Sequence, residues 1–224
     1  MARGRLITIE GIDGAGKSTL ADALLPVLRA RGERVESLRE PGGVEAAERI
    51  RALLADPSLQ IGAAAEALLY AAARAELVRE RLRPLLAGGV SVLLDRYVDS
   101  SFAYQGAGRE LGSAQVEAIN RLATGGLLPD RTLLLRIPVD AARARLRARG
   151  APPDRLEGED GDFFERVSLA YERLLEHEPE RVRPIDATES PATVLEQALV
   201  AIEDLLAAPA EGACPPEAPG GRGH

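Results

Sequence analysis

The chain has 224 residues, 46% hydrophobic and 28% charged, which is enough material for one domain with a sizeable core. A formal net charge of −7 disfavours wrapping a nucleic acid or coating an anionic membrane, although an acidic protein still binds small anions where its cations gather. The single cysteine, Cys214, excludes internal disulfides and cysteine metal cages; with no apolar leader before Leu6 and no long apolar run, a cytoplasmic protein is expected.

In chain order, Leu6–Glu10 is short and apolar and predicts a first strand. It runs into Gly11-Ile12-Asp13-Gly14-Ala15-Gly16-Lys17-Ser18, a full match to G-x-x-x-x-G-K-[ST], and Lys17–Ala30 then has helical periodicity. Glycines let successive amide N–H groups turn around phosphate oxygens, and the helix adds its positive end. Lys17 would reach the transferred phosphate and Ser18 would ligate Mg²⁺. Of the 28 Lys plus Arg, Lys17 is the only lysine, as suits a site that needs a point charge rather than a planar fork.

Further along, Val35–Arg39 predicts a strand leading into Arg39-Glu40-Pro41-Gly42-Gly43, and Glu45–Ala55 and Ala63–Leu86 predict helices. Ser91–Asp95 predicts a third strand, with Asp95 placed where P-loop proteins keep an acidic residue for Mg²⁺. Asp95–Gln105 follows as a cluster of informative residues with no helix assigned to it, then a helix over Ser113–Ala123 and a strand over Thr132–Ile137. Ala141–Arg149 predicts a helix within a run of Arg143, Arg145, Arg147, Arg149 and Arg155. Such a run reads equally as a solvated face or as a lid that closes on phosphates. Helices over Phe163–His177 and Thr193–Ala207 flank a last strand, Val182–Ile185. Pro209–His224, with four Pro and four Gly, reads as a disordered tail. Five strands alternating with helices imply a parallel sheet covered on both faces, with ligands beyond the strands' carboxyl ends.

The ordered motifs from Leu6 to Leu206 resemble those of the bacterial thymidylate kinase family. They are Glu10–Thr19, Arg39–Gly43, Asp95-Arg96-Tyr97, Ser100-Ser-Phe-Ala-Tyr-Gln-Gly106, Arg147–Gly150 with Asp154–Glu157, Phe163-Phe164, and Ile185–Thr188. The resemblance implies a three-layer α/β fold of the P-loop nucleoside-monophosphate-kinase type over residues 1–208, with a lid at about 147–162. It also implies ATP and thymidine monophosphate as substrates, and a homodimer. Gly11–Thr19 would hold ATP, with Ser18 and Asp95 at the metal. Arg51 and Arg96 fall where the family grips the acceptor's phosphate, a task suited to a bidentate guanidinium. Tyr70 and Arg74, on one helix face, match positions that stack on thymine and donate to its exocyclic oxygen. Ser101 and Gln105 match base-binding positions, Tyr104 packs against the deoxyribose, Asp13 meets the 3′-hydroxyl, and Glu40 and Pro41 shape the pocket. Asp186–Thr188 matches a loop near the adenine.

Some family members carry a catalytic arginine in the P-loop and others in the lid. Asp13, Gly14 and Ala15 include none, so this chain resembles the lid-arginine type, with Arg149 the better match and Arg155 the second. Lys17, Arg96, Arg149 and Arg155 are thus the expected catalytic cations. The rival expectations are a nucleoside-monophosphate kinase with another base preference, because tyrosine stands at 70, and a P-loop regulatory ATPase. No Asn-Lys-x-Asp motif supports the latter.

Overall fold

The computed structural model describes residues 3–150 and 154–207; the Ala151-Pro152-Pro153 segment and the expected tail lie outside the described residues. Five parallel strands, β1 (Leu6–Glu10), β2 (Val35–Arg39), β3 (Ser91–Asp95), β4 (Arg131–Arg136) and β5 (Val182–Asp186), lie in the order β2-β3-β1-β4-β5. The strands match the expected ones, with β4 both starting and ending one residue earlier and β5 ending one later. Alternation along β1 feeds two cores: Leu6 packs on one face, Ile7 and Ile9 on the other. Burial on both faces explains why the inner strands β1, β3 and β4 are mostly apolar, while the edge strands β2 and β5 are partly exposed and more polar.

The face of Ile7 and Ile9 is covered by α1 (Lys17–Ala30), α8 (Gly161–His177) and α9 (Pro191–Ala207), which contribute Leu24, Val167 and Ile202. The other face receives Leu77, Val78, Leu82 and Leu86. These lie on α3 (Ala63–Leu77), a π-helical stretch (Val78–Leu82) and α4 (Arg83–Ala87), one rod where the sequence predicts a single helix over Ala63–Leu86. Pro84 explains the interruption: it has no N–H and crowds the carbonyl one turn back, which a locally widened helix accommodates. Elsewhere α2 (Glu45–Ala55), α6 (Ser113–Thr124) and α7 (Val139–Ala148) match the expected helices within two residues.

The segment after β3, to which the sequence assigns no helix, forms a short α5 (Val98–Ser101) that continues as a π-helix over Phe102–Gly108. Its serines and glycines are poor helix formers, so local propensity gives no signal. Tertiary contact overrides it: Ser100, Ser101, Ala103, Tyr104 and Gln105 are all buried.

Candidate active site

All strands run in parallel, so the segments after β1, β2, β3 and β5 emerge on one edge of the sheet. Asp95 lies level with Ile9 on one side and Arg39 on the other. Two backbone bonds extend that registry past the strands, Arg96 N to Ile9 O at 3.0 Å and Glu40 N to Asp95 O at 2.9 Å. Beyond this edge lies a cleft of about 820 Å³. Seven cations line it: Lys17, Arg39, Arg51, Arg74, Arg96, Arg145 and Arg149. A protein of net charge −7 thereby gathers the cations an anionic ligand needs.

At one end is the Gly11–Ser18 loop. Gly11 and Gly14 have φ of 137° and 85°, and a Cβ on Gly14 would stand 2.3 Å from the Ala142 carbonyl oxygen. The loop closes this tightly only without side chains at those positions. No side chain caps the first turn of α1, so its amides remain available to an anion. Lys17, 7% exposed, donates to the carbonyls of Gly11 and Ile12 at 3.1 and 3.0 Å. Burial, assisted by the nearby Arg96 charge, pushes its ammonium down to about 8. Ser18 Oγ donates to Asp95 Oδ2 at 2.8 Å, bringing together the two residues expected at a metal. Among the described residues no cluster of three or more His, Cys, Asp or Glu could hold a metal by itself. A hydroxyl and a carboxylate are hard oxygen donors of the kind that hold Mg²⁺ jointly with nucleotide phosphates and water.

The centre of the cleft is an Arg96–Asp13–Tyr104 knot. Arg96 Nη2 donates to Asp13 Oδ1 at 2.5 Å and to the Tyr104 hydroxyl at 3.0 Å; that hydroxyl donates to Asp13 Oδ2 at 2.9 Å. Burial opposes ionisation of Asp13, but Arg96, Lys17 and the Tyr104 hydrogen bond outweigh it and hold the carboxyl at about 2. Arg96 takes φ of 70°, a conformation that costs a non-glycine residue about 1–3 kcal/mol. Its Nη1 also donates to Gly11 O and Ser100 Oγ, and this web of bonds holds the strained backbone in place.

Beneath the knot lies Glu10, a residue to which the sequence assigns no role of its own. Fully buried at the end of β1, it accepts from Tyr97 N, Ser100 Oγ and the Tyr171 hydroxyl at 2.5–2.8 Å. Burial, then the charge of Asp99, raises its carboxyl above the usual range. It ties the segment after β3 to β1 and so fixes where Arg96 starts.

At the far end, Arg74, Ser101, Gln105, Glu40 and Tyr70 form the wall expected to meet a base. Arg74 is 1% exposed; four of its five N–H groups donate to protein acceptors, and its Nη2 is also ion-paired with Glu40. Nε and Nη2 reach Glu40 Oε2 at 2.8 and 2.6 Å, Nη1 reaches Ser101 Oγ at 2.9 Å and Asn120 Oδ1, and Nη2 reaches Tyr97 O at 2.9 Å. Glu40 Oε1 is buried with no partner among the described residues. Tyr70 is half-buried, its hydroxyl has no hydrogen-bond partner among the described residues, and Arg51 Nη1 donates to Pro41 O at 3.1 Å.

The two candidate arginines after α7 part company. Arg149 lines the cleft, and its Nη2 grips both oxygens of Glu157 at 2.7 and 2.9 Å. Arg155 lies off the cleft wall, with Nε on Leu54 O at 3.0 Å and Nη1 on Glu66 at 2.7 Å. Arg145, unassigned within the arginine run, also lines the cleft and donates to Ala187 O at 2.9 Å. Ala187, beside it, belongs to the segment expected near adenine.

A glycine loop, its lysine and a serine–aspartate pair at the carboxyl edge of a five-stranded parallel sheet define the P-loop nucleotide-binding class, here in the architecture of a nucleoside-monophosphate kinase. The family model of thymidylate kinase matches residues 9–198. The thymidylate kinase of Rhizorhabdus wittichii is 46% identical, covering 91% of this chain and 99% of its own. That of Alkalilimnicola ehrlichii is also 46% identical over 92% and 94%, and that of Oenococcus oeni is 44% identical over 92% and 98%. The chain belongs to the thymidylate kinase family.

Proposed function

We propose that the chain transfers the γ-phosphoryl group of ATP to the 5′-phosphate of thymidine monophosphate, giving the diphosphate and ADP. Family membership supports the reaction. The observation that carries it at the level of residues is one continuous cleft joining the glycine loop to a base-sized wall, with Arg96, Asp13 and Tyr104 between. A regulatory P-loop ATPase has no use for that second end.

Backbone amides of Gly11–Thr19 cradle the triphosphate, and Lys17 leaves the Gly11 and Ile12 carbonyls to pair with the transferred group. Arg51 and Arg96 hold the acceptor's phosphate, whose oxygen attacks the γ-phosphorus as the bond to the β,γ-bridging oxygen breaks. Asp13, ionised by its neighbours, accepts from the sugar 3′-hydroxyl, and the Tyr104 ring borders the deoxyribose. Tyr70 stacks on the base against the wall of Ser101, Gln105, Glu40 and Arg74, where the buried Arg74 holds its neighbours in place. Ser18 and Asp95 would hold Mg²⁺, which neutralises phosphate charge when bound. Arg149, held by Glu157 beside the cleft, supplies charge to the transition state, while Arg155 fastens the segment that carries it.

We place the catalytic domain at 1–208 with a lid at about 147–162, and the protein in the cytoplasm. Among the described residues, no helix is long and apolar enough to cross a membrane. Leu53, Leu68 and Leu122 are exposed on α2, α3 and α6, which supports a homodimer through that side.

A panel of nucleoside monophosphates with Mg-ATP tests the function. Thymidine monophosphate should have the highest kcat/KM. Preference for a purine or cytosine acceptor would move the reading to another base. ATP hydrolysis without transfer to any acceptor would return it to the ATPase.

A further inference from the structure

Glu66 on α3 carries an unusual load for a carboxylate outside the cleft lining. Its side chain is fully buried; it accepts hydrogen bonds from two side chains and forms an ion pair with a third. Gln105 Nε2 donates to Oε1 at 2.9 Å; Arg109 reaches both oxygens through Nε and Nη2 at 3.0–3.3 Å; Arg155 Nη1 stands 2.7 Å from Oε2. The two arginines extend the network. Arg109 Nη1 pairs with Glu159 at 2.7 Å, and Arg155 Nε donates to Leu54 O at 3.0 Å. One buried charge therefore touches the base-facing wall, through Gln105, and the segment 154–159 that follows the arginine helix.

An ionised carboxylate only accepts, so the amide nitrogen of Gln105 must face Glu66. That leaves Gln105 Oε1 as the end free of Glu66, on a residue that lines the cleft. A carbonyl oxygen held there accepts from a base bearing a ring N–H between two carbonyls, and meets a repelling lone pair on cytosine N3. We propose that Glu66 is a positioning residue with two loads: it orients the Gln105 amide to select imide-bearing bases, and it ties segment 154–159 to the same wall through Arg155. The inference rests on the thymidine monophosphate reading for its first half only.

The test compares Glu66→Gln and Arg155→Gln with the parent by hydrogen exchange of the free protein and by Michaelis kinetics. Exchange across residues 154–162 should speed up at least about tenfold in both variants, while α9 amides exchange as before. The KM for thymidine monophosphate should rise by about tenfold or more in Glu66→Gln, with the KM for ATP within about twofold, and the handicap of deoxycytidine monophosphate should shrink. Arg155→Gln should leave that acceptor KM within about twofold. Unchanged exchange in both variants, or an unchanged acceptor KM in Glu66→Gln, overturns the proposal. Should Glu66→Gln fail to fold, Arg155→Gln decides by exchange alone, since it leaves Glu66 paired with Arg109. If the parent phosphorylates no thymidine monophosphate, the functional reading falls, while the exchange rates still decide whether the tie exists.

Discussion

Lys17 holds its charge where water reaches it poorly and Arg96 adds repulsion, and its ammonium is lowered to about 8. The cation is fully present below that pH and lost above it, and a bound polyphosphate restores it. Affinity for ATP should therefore be level from pH 7 to about 8 and weaken toward pH 9.5 by up to about tenfold per unit, with proton uptake on binding reaching about half a proton near pH 8 and approaching one above it. Calorimetry in two buffers of different ionisation enthalpy measures both; pH-independent affinity would remove the lowered lysine. At Arg149 the expectation concerns rate. Its guanidinium is half exposed and, among the described residues, its side chain is engaged by Glu157 alone, so little of the described fold depends on it. Arg149→Ala should lower turnover by about 10³ or more while both KM values stay within a few-fold and the melting temperature is unchanged. Near-normal turnover would exclude the arginine as the transition-state cation.

At the scale of elements, the π-helix over Phe102–Gly108 decides how the cleft's middle is furnished. It carries Tyr104 and Gln105 on a widened turn and packs on α8, where the Tyr104 and Phe163 rings meet at 6.0 Å in an edge-on arrangement. That approach is closest at Gly108. An added Cβ would stand 2.6 Å from the edge of Phe163 and 2.9 Å from Val167, both buried and unable to yield. Gly108→Ala should cost about 1–3 kcal/mol of stability and raise the acceptor's KM more than that of ATP. Urea unfolding and steady-state kinetics check the two halves. A neutral effect on both would mean that α8 moves away freely.

For the whole molecule, stability and catalysis are separable by layer. Leu133 on β4 is fully buried in the core shared by α1, α8 and α9 and is not part of the cleft lining. Leu133→Ala should cost about 2–5 kcal/mol, a large part of the roughly 5–15 kcal/mol that holds such a domain. It should lower the urea midpoint with an unchanged m-value while the folded fraction retains its KM values. Parallel losses in midpoint and in acceptor KM would show that core and cleft are one mechanical unit.

The strands, most of the helices and the phosphate end of the cleft are legible in the amino-acid order alone. These are local properties: a run of five apolar residues, a 3.6-residue period, and a loop whose glycines, lysine and serine are contiguous from Gly11 to Ser18. The motifs Arg39–Gly43 and Ser100–Gly106 also named the far wall by resemblance. What those side chains do with their hydrogen bonds is settled only in three dimensions. Arg74 spends four of its five donors on residues 23 to 46 positions away, Glu66 gathers partners from 39 to 89 positions away, and Glu10 meets Tyr171 across 161. Arg149 and Arg155, six residues apart in a run of similar charge, part only because Leu54 O and Glu66 wait for one and the cleft for the other. The helical turn over Val98–Gly108 had no local advertisement either. Serine and glycine gain nothing from a helix until burial and long-range hydrogen bonds repay the cost of ordering them.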